Sequence, residues 1–129
     1  MPLISIVTPV YNNEKYICSA VESVFAQGID DIEYIIVDDG STDNTARVVD
    51  ELAEKNDKIK VIHQDNQWIY ASFNNGIKYA KGKYIYILNS DDKLAPGALK
   101  HLTEIVSKYS TDVIWTPVMV HECDSNQII

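Results

Sequence analysis

Five short apolar runs alternate along the chain with four stretches of helical periodicity, and that order constrains the fold more than any other feature. The runs are Leu3–Val7, Glu33–Val37, Ile59–His63, Tyr84–Leu88 and Val113–Trp115. Between them, Ile17, Ala20, Val21, Val24 and Phe25 keep the i, i+3, i+4 rhythm of an amphipathic helix. The same rhythm recurs at Ala46, Val49, Leu52 and Ala53, then at Tyr70, Phe73, Ile77 and Ala80, and last at Leu99, Leu102, Ile105, Val106 and Tyr109. Strands separated by helices in this way form a parallel sheet with helices on both faces. Asn13 is placed to cap the first helix, and Ser41 or Thr42 the second. Gly28 ends the first helix, Gly82 the third, and Pro96 suits the first turn of the fourth. At 129 residues the chain is one domain. We place it at residues 1–121, with 122–129 as a polar tail.

Two of the apolar runs stop abruptly at adjacent carboxylates, Asp38-Asp39 and Asp91-Asp92. Open α/β sheets bind ligands at the carboxyl ends of their strands. One such pair could equally be a helix cap or a solvated turn. In a doubly wound strand order of 3-2-1-4, however, the second and fourth strands flank the first. With strands about 4.8 Å apart, the two pairs would stand roughly 10 Å apart with Tyr11 between them. That span suits a nucleoside diphosphate. Tyr11 offers a face on which a base can stack, and Asp38 or Asp39 can accept from a base N–H or a ribose hydroxyl. Asp91 and Asp92 would repel phosphates unless a hard divalent cation such as Mg²⁺ lay between.

Thr8-Pro9-Val10-Tyr11-Asn12, Ile36-Val37-Asp38-Asp39-Gly40-Ser41-Thr42-Asp43 and Leu88-Asn89-Ser90-Asp91-Asp92 resemble, in order and spacing, the signature segments of family-2 inverting glycosyltransferases. The resemblance implies a Rossmann-like three-layer α/β/α sandwich of the GT-A type, ending after about the fifth strand. It also implies a nucleotide-diphosphate sugar donor, a UDP-sugar first among them, bound with Mn²⁺ or Mg²⁺ at a DXD-type site. Carried over by position, the donor-binding residues are Pro9, Tyr11, Asp38, Asp39 and Asp91, and the metal ligands are Asp92 and Asp91, with Asp92 preferred; Trp68, a departure from the family, is added as a residue placed either to pack on the donor or to cover the third helix. Residues 1–121 then form a donor-binding domain serving polysaccharide or glycan synthesis. The sugar or glycolipid acceptor and the catalytic base belong to segments beyond Ile129, so this chain alone is not expected to transfer sugar. The sequence departs from the family pattern at four places. Asn89 stands where a further Asp is frequent, Trp68 where Gly is frequent, Ala71 where Asp is, and Phe73 where Arg or Met is. A non-catalytic nucleotide- or sugar-binding module on a remnant fold is the alternative these departures keep open.

Composition removes other classes. Eleven basic against nineteen acidic residues give a net charge of −8, opposite to the basic face of a nucleic-acid binder. No stretch approaches the roughly 20 apolar residues of a membrane span, and Met1–Val7 lacks the basic n-region of a signal peptide. Cys18 and Cys123 are isolated from one another and from metal-ligand spacing, as expected of reduced packing thiols in a cytoplasmic protein. His63, His101 and His121 show no i, i+4 ligand spacing and are expected at the surface or at caps. A dinucleotide oxidoreductase needs a glycine-rich turn after the first strand, where this chain has Thr8-Pro9-Val10-Tyr11. A phosphoacceptor receiver domain would carry acids after the first and third strands, not the second and fourth. Self-association is compatible with the composition and not specified by it.

Overall fold

The computed structural model describes residues 1–119 together with the backbone of His121–Glu122 and Gln127–Ile128. Its elements are β1 (Ile4–Val10), α1 (Ile17–Phe25), β2 (Ile32–Asp38), α2 (Thr45–Lys55), β3 (Ile59–His63), α3 (Trp68–Tyr79), β4 (Tyr84–Ile87) and α4 (Ala98–Lys108), followed by the short pair β5 (His121–Glu122) and β6 (Gln127–Ile128). The first four strands form one sheet in the order β3-β2-β1-β4, parallel throughout. This is the doubly wound strand order in which the acid pairs were placed. It sets β1 at the centre, with β2 and β4 on either side.

The two sheet faces divide by strand periodicity. On one face Ile6, Tyr34 and Ile36 are buried with Ala20, Val21 and Val24 of α1, Val49 of α2, and Leu99 and Leu102 of α4. On the other, Val7, Ile35 and Val37 form a smaller cluster under α3. That helix lies close because it presents Gly76, where a Cβ would come within 2.5 Å of Val7 Cγ1. Every residue of β1 is buried, which is the signature of a central parallel strand.

Three sequence expectations are corrected. Val113–Trp115 forms no strand, and β4 remains an edge; Val113 and Trp115 are largely exposed, Trp115 at 93 %. Asn13 does not cap α1 through its side chain, because that amide donates to Ser90 Oγ at 2.8 Å. Ser41 and Thr42 do not cap α2, which begins at Thr45; there Asp43 Oδ1 accepts the Thr45 N–H at 2.9 Å. Part of the polar tail pairs, β5 antiparallel with β6. Cys18 is half-buried on α1 and unpaired; Cys123 and the side chain of His121 lie outside the described residues.

Candidate functional site: a cleft at the carboxyl edge of the sheet

The carboxyl ends of β1, β2 and β4 open into a cleft of about 440 Å³, within the usual size range of small-molecule sites. β1 and the turn after it contribute Pro9, Val10, Tyr11 and Asn13, and Asp39 follows β2. Asn66, Trp68, Ile69 and Ser72 come from the approach to α3 and its first turns, and Asn89, Ser90 and Asp91 follow β4. Pro9, Tyr11, Asp39, Trp68 and Asp91, five of the residues expected at a donor site, therefore share one cavity.

Tyr11 is placed by the turn behind it. Asn12 has φ 46°, a left-handed conformation that Asn tolerates because its short polar side chain can bond locally. Here its Oδ1 accepts the N–H groups of Thr42 at 2.7 Å and Asp43 at 3.3 Å. Its own N–H donates to Ser41 Oγ at 3.0 Å. Asn13 N–H reaches Thr45 Oγ1 at 3.1 Å, while its side chain holds Ser90. The β1 turn is thus bonded to both loops that carry the acid pairs. Tyr11 is left half exposed, at 50 %, over the cleft.

Asp39 accepts more hydrogen bonds than any other acid side chain among the described residues. Only 4 % of it is exposed. Its Oδ1 accepts Gln64 Nε2 at 2.8 Å and the Gln67 N–H at 2.8 Å, and its Oδ2 accepts the Trp68 N–H at 3.0 Å. Gln64 is fixed in turn by Ser72 Oγ at 3.2 Å and by Asn75, which donates to its Oε1 at 2.7 Å. A carboxylate has about four lone-pair sites. Three are filled by described residues of this chain, which leaves one acceptor position on Oδ2, and Asp39 is among the residues that line the cleft. Gly40 makes this geometry possible. Its φ is +73°, and a Cβ there would lie 2.8 Å from the Asn66 backbone nitrogen.

Asp38 does not line the cleft, contrary to its expected place among the donor-binding residues. It is the last residue of β2, so strand alternation turns its side chain away from that of Asp39. Its Oδ1 accepts the Ser41 N–H at 3.2 Å, and its Oδ2 meets His63 Nδ1 at 2.9 Å. His63 Nε2 meets Asp50 Oδ1 on α2 at 2.8 Å. With a carboxylate at each ring nitrogen, the hydrogen bond to Asp38 above all raises the His63 pKa, against a smaller opposing effect of burial; Asp50 adds to the rise. From an exposed position His63 therefore ties together β2, β3 and α2 through its two carboxylate partners.

The second acid pair is open. Asp91 lines the cleft and Asp92 lies beside it in solvent, its Oδ2 accepting from Asn89 Nδ2 at 3.2 Å. Among the described residues no three His, Cys, Asp or Glu side chains converge as a closed metal site. Two adjacent carboxylates do fit a cation of the Mg²⁺ kind, which takes one or two carboxylates and completes its shell with water and substrate phosphates. The sequence reading gave no part in the site to Gln64, Asn66, Ser72 and Asn75, and it took Asn13 only as a helix cap and Asn12 only as part of a signature segment. The only signal for Gln64 and Asn66 was their place just after β3, at the same sheet edge.

A parallel sheet of order β3-β2-β1-β4 with an aromatic and two acidic loops at its carboxyl edge defines a Rossmann-like α/β domain with its cleft at the switch point. The sequence profile of glycosyl transferase family 2 matches residues 5–129, and the chain belongs to that family. It is 40% identical over 113 residues to glycosyltransferase GlyG of Streptococcus pneumoniae, covering 87% of this chain and 38% of that protein. Over 100 residues it is 42% identical to a chondroitin synthase of Escherichia coli, covering 78% of this chain and 15% of that one. The crystal structure of S. aureus TarS 1-349 in complex with UDP-GlcNAc superposes with a TM-score of 0.78 at 28% identity, over 84% of this chain and 32% of that one. The chain thus spans well under half the length of the relatives it matches. No helix among the described residues is long and apolar enough to cross a membrane.

Proposed function

We propose that residues 1–121 are the donor-binding domain of an inverting, metal-dependent glycosyltransferase that takes a UDP-sugar. One observation carries the choice of donor: Asp39 keeps a single acceptor site on a carboxylate otherwise saturated by Gln64, Gln67 and Trp68. A uracil presents one imide N–H to such an acceptor. Guanine presents two adjacent N–H groups and would need both carboxylate oxygens free. Tyr11 supplies the stacking face, and Asp91 with Asp92 the metal end. TarS, crystallised with UDP-GlcNAc, makes the same donor class a reasonable one here.

In this scheme Asp39 orients the base, the Asn12 and Asn13 bonds hold Tyr11 at a fixed height above it, and Asp91 and Asp92 receive the cation. A bound Mn²⁺ or Mg²⁺ supplies Lewis-acid stabilisation of the departing nucleoside diphosphate. Inversion also requires a base that deprotonates a sugar or glycolipid hydroxyl, and no acid of this chain is assigned that role. The site would work on cytoplasmic donor pools. Calorimetric titration of the chain with UDP, dTDP and GDP, each with and without Mn²⁺, tests the proposal. UDP and dTDP are expected to bind in a Mn²⁺-dependent manner, about tenfold or more tighter than GDP, since an unpaired base donor costs of the order of 1–3 kcal/mol. Failure of all three nucleotides to bind overturns it.

A further inference from the structure

Resting on the donor site just proposed, we propose that Trp68 is an aromatic wall of the base pocket, held in a strained backbone conformation, and that it stacks on the uracil from the side of Asp39 opposite Tyr11. Trp68 has φ 70°. For a bulky residue this left-handed conformation is a genuine outlier, and glycine adopts it without penalty. The turn itself has a clear purpose. It aims two successive N–H groups, of Gln67 and Trp68, at the Asp39 carboxylate. Any residue could supply those N–H groups, and glycine would do so best, so nothing in the turn calls for an indole.

Burial does not account for the side chain either. Trp68 is 79 % exposed, so it contributes little to the core beneath α3. What its position does provide is a wall of the cleft next to Asp39. In the strand order β3-β2-β1-β4, Trp68 enters from the β3 side and Tyr11 rises from β1, with Asp39 between them. A planar ligand hydrogen-bonded to Asp39 therefore has an aromatic residue to each side. Backbone strain retained at an exposed residue of a site is commonly tied to ligand binding, and base–aromatic stacking is among the stronger sequence-tolerant contacts a nucleotide can make.

The experiment uses UDP with Mn²⁺ as the probe on three proteins: the parent, Trp68→Gly and Trp68→Phe. Trp68→Gly is expected to melt at a temperature equal to or higher than the parent and to bind UDP about tenfold more weakly, the loss of one stacking contact. Trp68→Phe is expected to keep most of the affinity and none of the gain in melting temperature. In a Trp115→Phe background Trp68 is the only tryptophan of the chain, and UDP is expected to quench its fluorescence. Unchanged UDP affinity in Trp68→Gly, a lower melting temperature for that variant, or fluorescence indifferent to UDP overturns the aromatic wall while leaving the donor site standing. A parent that binds no UDP overturns both.

Discussion

Replacing Asp39 by asparagine is expected to cost about 2–4 kcal/mol of stability and to remove most of the nucleotide affinity. The carboxylate accepts three N–H groups, from Gln64, Gln67 and Trp68, and hydrogen bonds to a charged group contribute about 1.5–3 kcal/mol each. An asparagine amide retains one acceptor oxygen and turns an NH₂ toward at least one of those donors. If the oxygen keeps the place of Oδ1, the Trp68 N–H faces another donor and the turn into α3 loses its anchor. The site that would receive the base N–H becomes a donor at the same time. Urea unfolding and UDP calorimetry on the same protein measure the two effects. The comparison is Asp91→Asn: Asp91 is exposed at the cleft, and its replacement should change stability by no more than about 0.5 kcal/mol while removing the metal dependence of binding. Equal stability of Asp39→Asn and the parent would contradict the account of the Asp39 anchor.

Gly82→Val is expected to be the most damaging single substitution outside the cleft, costing about 3 kcal/mol or more. The reason is steric and lies in the backbone. A Cβ at Gly82 would sit 2.5 Å from the Ser5 nitrogen, 2.6 Å from Ser5 Oγ and 2.9 Å from the Ile4 carbonyl carbon. Gly82 N–H also donates to Ser5 Oγ at 2.7 Å, and Ser5 Oγ donates in turn to Glu33 Oε1 at 2.5 Å. The turn before β4 is thus pressed against the first residues of β1, and neither backbone can yield without breaking strand pairing. Gly28→Ala is the useful contrast. Its φ is +66° with nothing within 4 Å of the added carbon, so it pays only for the left-handed conformation, about 1–2 kcal/mol. Chemical denaturation of both variants checks the ranking, and a Gly82→Val protein as stable as Gly28→Ala contradicts it.

The first four strands were legible in the sequence because each announces itself locally, and their order followed from the doubly wound pattern that alternating strands and helices adopt. The failures have a common physical origin in contacts between residues distant along the chain. Val113–Trp115 has the β-branched and aromatic character of a strand, but it forms no ladder with the free edge of β4, and apolar character alone does not disclose whether two edges pair. Asn13 looks like a cap until Ser90, 77 residues later, is brought beside it. Asp38 and Asp39 are indistinguishable as neighbouring carboxylates. Strand alternation separates them, sending one to His63 and the other to the cleft. The saturation of Asp39 by Gln64, Gln67 and Trp68 depends on how the β3–α3 connection folds back over β2, which no spacing rule discloses. On the proposed reading, that saturation is what sets the preference for one kind of base.

The most direct test of the central claim is a ¹H–¹⁵N correlation titration of the labelled chain with UDP and Mg²⁺. Binding in the cleft predicts shifts of the Tyr11, Asp39, Gln67 and Trp68 amides at the base end and of Ser90 and Asp91 at the metal end. Residues of the groove beneath α4, such as Lys83, Leu102 and Val113, are predicted to stay in place. Shifts confined to that groove, or a spectrum unmoved by saturating UDP, would contradict the assignment of the cleft as a nucleoside-diphosphate site.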